Sequence, residues 1–345
     1  MNRELALKAS GLALLVVVAI AFPHVYSNPA VISYGVFTMI YVGVASAWNI
    51  FSGNSGYLSL GHAVFYGSGA YAFGIAAQDW HLSGTQAFLL LPFAGAVGAV
   101  IAVPVGLIAL RVRRHTFIVL TIAFFFIFQL MAYNLPFTHG TIGLNAPFLN
   151  WPTSEYNTSF YYIALAFAAV TIALSVLIRR SRFGLQLRAI RDDEDRARGL
   201  GVKTMRVKLS AWVISGTITA MIGAVWFFFI TQAQPDTAFD ALFDLTIVLM
   251  VYLGGYGTIA GPVLGALIIE PGSQWLNTQP QFAGGYLSEI LLGVVFLLVV
   301  IFLPRGIIPS GADWIKGLRQ RGRPAVTPVA AVDAKVPAGS AGGEK

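Results

Sequence analysis

The five histidines, His24, His62, His81, His115 and His139, stand too far apart along the chain for a paired metal site, and no HExxH run joins any two of them. There is no cysteine, so thiolate ligands, disulfides and cysteine nucleophiles are excluded. No GxxxxGKS or GxxxxGKT loop is present, so no ATP hydrolysis is expected of the chain itself. Two constellations remain. The first is a pair of glycine-rich breaks in apolar sequence, with Gly53, Gly56, Ser59, Gly61 and His62 in one and Gly254, Gly255, Gly257, Gly261 and Pro262 in the other. Backbone N–H and C=O groups left bare at such breaks can meet a carboxylate and an ammonium; the same glycines equally suit close helix packing. His62 reads as a packed or backbone-bonded histidine rather than a ligand. The second constellation is the polar stretch 179–208, in which Asp192, Asp193, Glu194 and Asp195 precede Arg196, Arg198 and Gly201. Acid first, base last and glycine at the end is the order a short helix dipole favours. Ile190, Ala197 and Leu200 give that helix a narrow apolar edge suited to docking on another protein, the alternative being a solvated loop that only anchors topology.

Elements of membrane-spanning length must carry these residues. The 345 residues are 57% hydrophobic and 11% charged, with mean hydropathy +0.72, which leaves too little polar surface to coat a soluble globule. The 22 lysines and arginines fall in four clusters: Arg3 and Lys8, Arg111 to Arg114, Arg179 to Lys208, and Arg305 to Lys345. A cation at a bilayer centre costs roughly 2.5–3.5 kcal/mol and short basic loops stay cytoplasmic, so all four clusters are expected on one face. The net charge of +7 is then a topological signal, with membrane lipid beside it and no nucleic acid expected. Apolar segments lie near 10–26, 31–51, 57–78, 87–110, 115–134, 159–178, 209–231, 242–270 and 286–304, the first read as a retained span rather than a cleaved leader.

Nine segments would leave the basic C-terminus on the wrong side. The glycines and proline inside 242–270 resolve this, because two half-helices near 242–253 and 259–270 would enter and leave on the outer side. The expected fold is an all-α polytopic membrane protein with about eight full transmembrane helices plus this broken, re-entrant helical hairpin, and with N- and C-termini cytoplasmic. Residues 1–308 form the transmembrane domain, with the loop 179–208 on its cytoplasmic face, and 309–345 reads as a disordered cytoplasmic tail. Acids are scarce at depth. Asp79, Glu155, Asp236, Asp240 and Glu270 fall at predicted outer ends or loops, and Asp244 just inside its half-helix. Glu289, near the outer start of the last span, is the best single case for a polar group facing a pathway, or else an interfacial carboxylate.

Three stretches carry a resemblance: Arg188 to Glu194 (RAIRDDE) with Ala197, Leu200-Gly201 and Lys208-Leu209; Asn49 to Gly53 (NIFSG) with Gly56 to Ala63 (GYLSLGHA), Phe65 and Gly69 to Tyr71; and Leu253 to Gly257 (LGGYG) with Gly261-Pro262 and Gly265-Ala266. Together they resemble LivM-type permeases, the membrane subunits of ABC importers for branched-chain amino acids, with RAIRDDE in the place of the coupling loop. Arg196 and Gly199 depart from the small or helix-favouring residues usual there, and Thr138 to Pro147 is one residue short of the family's outer-loop pattern. The resemblance implies a subunit that binds no cofactor itself and sits in a bacterial inner membrane. It would pair with a second, LivH-like permease and two cytoplasmic ABC ATPase subunits that use ATP and Mg, and take substrate from a periplasmic binding protein. Arg188, Arg191, Asp192, Glu194, Ala197 and Gly201 are expected to receive the ATPase stroke, and the glycine breaks with Glu289 to line the pathway. Two alternatives stand beside this: a permease of the same type for urea or short amides, and a stand-alone channel or secondary carrier.

Overall fold

Long apolar runs fold as helices because only a hydrogen-bond ladder within the segment satisfies the backbone away from water. The computed structural model describes residues 17–26, 28–149, 151–278, 286–302 and 306–311. In chain order the helices are α1 (17–25), α2 (Pro29–Trp48), α3 (His62–Asp79), α4 (Leu91–Ala109), α5 (Arg114–Asn134), α6 (Thr153–Arg180), α7 (Arg182–Asp192), α8 (Glu194–Gly199), α9 (Thr204–Ile230), α10 (Pro235–Ala238), α11 (Ala241–Gly254), α12 (Ala260–Thr278) and α13 (Tyr286–Phe302). A short antiparallel ribbon pairs Leu144 with Ala233 and Asn145 with Gln232, a small departure from the all-α expectation. Six stretches among the described residues are long and apolar enough to cross a membrane: Pro29–Gly53, Gly84–Ala109, Arg114–Asn134, Glu155–Arg180, Thr204–Ile230 and Pro235–Gly254. α3 is less apolar and can be so, because nearly all of it is buried against other helices.

Glycine lets these helices touch. A β-carbon at Gly69 of α3 would overlap the Ala220 carbonyl of α9, and one at Gly223 of α9 would overlap the Tyr66 carbonyl. On α4, Gly98 lies against Ala220 in the same way. Gly254 meets Gly261 and Gly265 meets Met250, so α11 and α12 run as a tight antiparallel pair.

Cations tie the loops together at one end of this bundle. Arg114 donates to the carbonyls of Ile190 (2.7 Å) and Arg191 (2.8 Å), and Lys208 reaches the Leu110 carbonyl (3.4 Å). The second and third cationic clusters therefore share an end, and Gly306 and Pro309 pack there too, on Gly255. Arg3, Lys8, Arg305 and the tail beyond 311 lie outside the described residues, while 309–311 belong to a helical turn rather than to the expected disordered tail.

Two boundaries differ from expectation. The segment expected at 57–78 becomes helical only at His62, because Gly56 takes φ 75° and the chain to Gly61 is irregular. The half-helices expected at 242–253 and 259–270 are present but longer, since α12 continues past Pro271 to Thr278 and the tip of the hairpin reaches the cationic end.

Overpacking a close helix contact costs about 1–3 kcal/mol. Gly69→Ala should therefore lower the melting temperature of the detergent-solubilised protein, whereas Gly272→Ala, where a β-carbon meets nothing within 4 Å, should leave it unchanged or raise it.

Candidate translocation and coupling site

The two glycine breaks, about two hundred residues apart, meet in space. α2 does not stop at Trp48 but widens into a π-helical turn, Asn49–Gly53, which turns the Asn49 amide toward the hairpin tip. That amide donates to the Thr258 carbonyl (2.7 Å) and accepts from the Gly257 N–H (3.1 Å), while Tyr256 donates to the Ser52 carbonyl. A β-carbon at Gly53 would overlap Asn49 and crowd Gly257, and the φ values of Gly255 (134°) and Gly257 (73°) exclude most side chains. The irregular stretch after Gly53 is satisfied locally. Trp48 donates to the Ser59 carbonyl (2.9 Å), Leu60 N–H to the Thr121 hydroxyl (3.1 Å), and Asn54 to the Asn49 carbonyl (3.0 Å).

Behind this junction lies His62, fully buried among the rings of Trp48, Phe65 and Trp212. Its hydrogen bonds set its tautomer. Ser215 gives its proton to the Ala47 carbonyl (2.7 Å), so it accepts from His62 Nε2–H (2.8 Å), which leaves Nδ1 to accept from Ser59 (3.1 Å). His62 is thus a packed, hydrogen-bonded neutral residue, as its setting in the sequence suggests. Its helix starts at Gly61, which has no side chain to cap it, and the cap comes from α11 instead: Asp244 accepts the N–H groups of His62 (3.0 Å) and Ala63 (3.2 Å). Asp244 and Glu270 are both buried inside the bundle rather than set at its outer ends, and Gln274 donates to Glu270 (2.9 Å). The sequence puts Glu270 at an outer end or loop and Asp244 just inside its half-helix, so the bundle holds more buried acid than the sequence suggests. Glu289 lies on α13, with its side chain outside the described residues.

The polar stretch divides at Asp193 rather than forming one helix from Asp192 to Gly201. Asp193 is extended and caps α8, accepting from the N–H groups of Asp195 and Arg196 (both 3.0 Å), while Asp192 ends α7 exposed. Arg191 donates to the Gly53 carbonyl (2.8 Å) and lies 4.7 Å over the Tyr256 ring, and Arg179 donates to the Gly257 carbonyl (2.9 Å). The third arginine, Arg188, closes the α6–α7 corner on the Arg179 carbonyl (3.1 Å). Glu194 anchors α8. Lys208, only 3% exposed, donates to it (2.7 Å) as does the Tyr57 hydroxyl. Burial pushes the Glu194 carboxyl up, but hydrogen bonds from Lys208 and Tyr57 and the Lys208 charge outweigh this and hold it below the ordinary carboxylate range.

The apolar edge faces inward. Ile190 and Ala197 are buried against this chain's own helices and only Leu200, 85% exposed, points out; the edge completes the bundle because Ile190 and Ala197 join a core with Phe51, Tyr57 and Trp212. Gly201 turns the chain at φ 87° with open space around it. Of the expected pathway residues, Gly53, Gly56 and Gly257 gather under Arg191, and Ser59 and His62 lie beside them. Gly61 packs on Thr121, Gly254 on Gly261, and Gly255 on Pro309, with Pro262 buried in the first turn of α12. Sequence reasoning named Asn49, Arg179, Lys208 and Asp244 but gave none of them a place in the site. The signal for Asn49 was a lone amide closing an apolar run.

The chain is similar in sequence to known proteins over most of its length. The family described as "Branched-chain amino acid transport system / permease component" matches residues 31–300. The high-affinity branched-chain amino acid transport system permease protein LivM of Salmonella typhimurium is 27% identical over 331 residues, covering 88% of this chain and 75% of the relative. LivM of Escherichia coli is 26% identical over the same shares, and LivH of Salmonella typhimurium is 25% identical over 78% of this chain and 91% of its own length. No solved structure matches. The match over most of its length makes the chain a member of the family of branched-chain amino acid transport permease components.

Proposed function

We propose that this chain is a membrane-spanning permease subunit of an ABC importer that carries branched-chain amino acids across a bacterial inner membrane. The observation that carries the reading is the stretch 179–208, which bonds both glycine breaks through Arg179 at the end of α6 and Arg191 on α7 and exposes Arg196 and Leu200 outward. The names of its LivM and LivH relatives supply the substrate class and a second permease as pairing partner. Two ATPase subunits would close on ATP and Mg beneath α8, and a periplasmic binding protein would deliver substrate at the opposite end. About eight full crossings plus the α11–α12 hairpin, with cytoplasmic termini, accord with cationic loops gathered at one end.

Force on α8 passes to α7 through Asp193, which caps α8 while its own N–H bonds the Ala189 carbonyl of α7, and Glu194 ties α8 to Lys208 of α9 and to Tyr57. Arg191 and Arg179 then act directly on the carbonyls of Gly53 and Gly257. Selectivity rests mainly with the binding protein.

Uptake of labelled leucine by the assembled complex should be competed by isoleucine and valine and not by urea or short amides; competition by urea alone would reassign the substrate. A cysteine at Gly272 should label from the face opposite the cationic loops. Glu194→Gln should lower uptake about tenfold, since the buried Lys208 loses its charged partner. Adding Lys208→Gln should cost little more, because the two residues act as one unit. With its pKa held below the ordinary carboxylate range, Glu194 keeps this anchor at neutral pH and loses it as the pH falls through that lowered pKa, which acid-dependent pepsin cleavage within 194–206 would report.

A further inference from the structure

The Asn49 junction does more than hold two helices together. We infer that Asn49 and Arg191 form a latch that closes the pathway at the cationic end and that is opened by withdrawal of α7; this rests on the importer reading above.

Three separate elements converge on it. The π turn of α2 supplies Asn49 and the Gly53 carbonyl, the hairpin tip supplies Tyr256, Gly257 and Thr258, and α7 supplies Arg191. Each contact crosses between elements, so separation of the elements breaks all of them. Arg191 reaches two of the three at once, since its guanidinium bonds the Gly53 carbonyl and lies over the Tyr256 ring. Displacing α7 therefore removes the clamp from both breaks in one movement.

The parts have a second arrangement available. A π turn holds one more residue than α winding needs and can rewind, and glycine at positive φ on the hairpin tip tolerates a change of backbone conformation. Arg191, Tyr256, Gly257 and Thr258 are only part-buried, so water can take over their hydrogen bonds when the elements part. Asn49 itself is buried, which places the seal on its side chain.

A reporter stands just above the seal. Ser46 lies three residues before Asn49 on the same face of α2, is 2% exposed, and its hydroxyl has no hydrogen-bond partner among the described residues. Cysteine there is nearly isosteric and breaks no bond, and the chain has no other cysteine.

The test uses membrane vesicles containing the permease assembled with its ATPases, exposed on the cationic-loop face to a membrane-impermeant cationic methanethiosulfonate, with labelling read as a mass shift on this chain. Ser46→Cys alone should label slowly. Adding Asn49→Ala or Arg191→Gln should speed labelling roughly tenfold or more, the factor expected when a hydrogen bond that biases a closed state is lost. A control cysteine at Ser175, buried in α6, should stay slow in both variants. Unchanged Ser46→Cys labelling in both latch variants overturns the proposal, as does fast labelling of Ser46→Cys alone or an equal rise at the control, which would mean general loosening. Failure of the chain to co-purify with ATPases would overturn the importer reading instead, and leaves the labelling contrast to stand or fall by itself.

Discussion

Backbone that leaves the helical ladder inside a membrane protein has no water to fall back on, and the cationic end of this bundle is organised around that constraint. The π turn 49–53 and the hairpin tip 255–259 are two such departures, and each supplies partners for the other. The Asn49 side chain is central because an amide carries a donor and an acceptor side by side, which here fit a carbonyl and an N–H of one turn. A carboxylate would leave the Thr258 carbonyl without a donor, and a leucine would leave both groups bare, at about 1–3 kcal/mol for each unsatisfied group. Closing α2 with a π turn is what brings that amide round to face the hairpin.

The cations follow from the same need. Carbonyls of Gly53, Gly257, Ile190 and Arg191 converge at this end, and Arg191, Arg179 and Arg114 donate to them. Guanidinium suits the task, since it is weakly hydrated, presents several donors in a plane and stacks on tyrosine. Lys208, a more strongly hydrated cation, is paired with a carboxylate, Glu194. The cations that the sequence groups into loops are therefore also those that hold the irregular backbone at this end.

Much of this was legible beforehand, and the failures share a cause. The gathering of cationic loops and the break inside 242–270 are properties of one segment at a time, set by hydration cost and glycine conformation. The burial of Asp244 and Glu270 is a property of register between segments. Asp244 lies one turn inside α11, which looks like an interface position until α3 is found to start beside it with an uncapped glycine. Neither the helix start at His62 nor the helix that caps it is visible in the sequence, which reads as one apolar segment from 57. Ile190 and Ala197 make the same point, because an apolar edge says that a face is covered without saying by what.

Buried carboxylates in a membrane bundle ordinarily suggest coupling to an ion, and the two found here bear on how transport would be driven. A coupling carboxylate must release its partners in each cycle. Asp244 accepts backbone N–H groups on both oxygens, and releasing them would uncap α3 next to the His62–Ser215 bond. Its contacts are fixed by the fold. The polar contacts that can exchange with water are those of Arg191, Arg179 and the hairpin tip, part-buried at the cationic end. The fixed contacts of Asp244 and the exchangeable ones at the cationic end fit a pathway opened by force applied at that end.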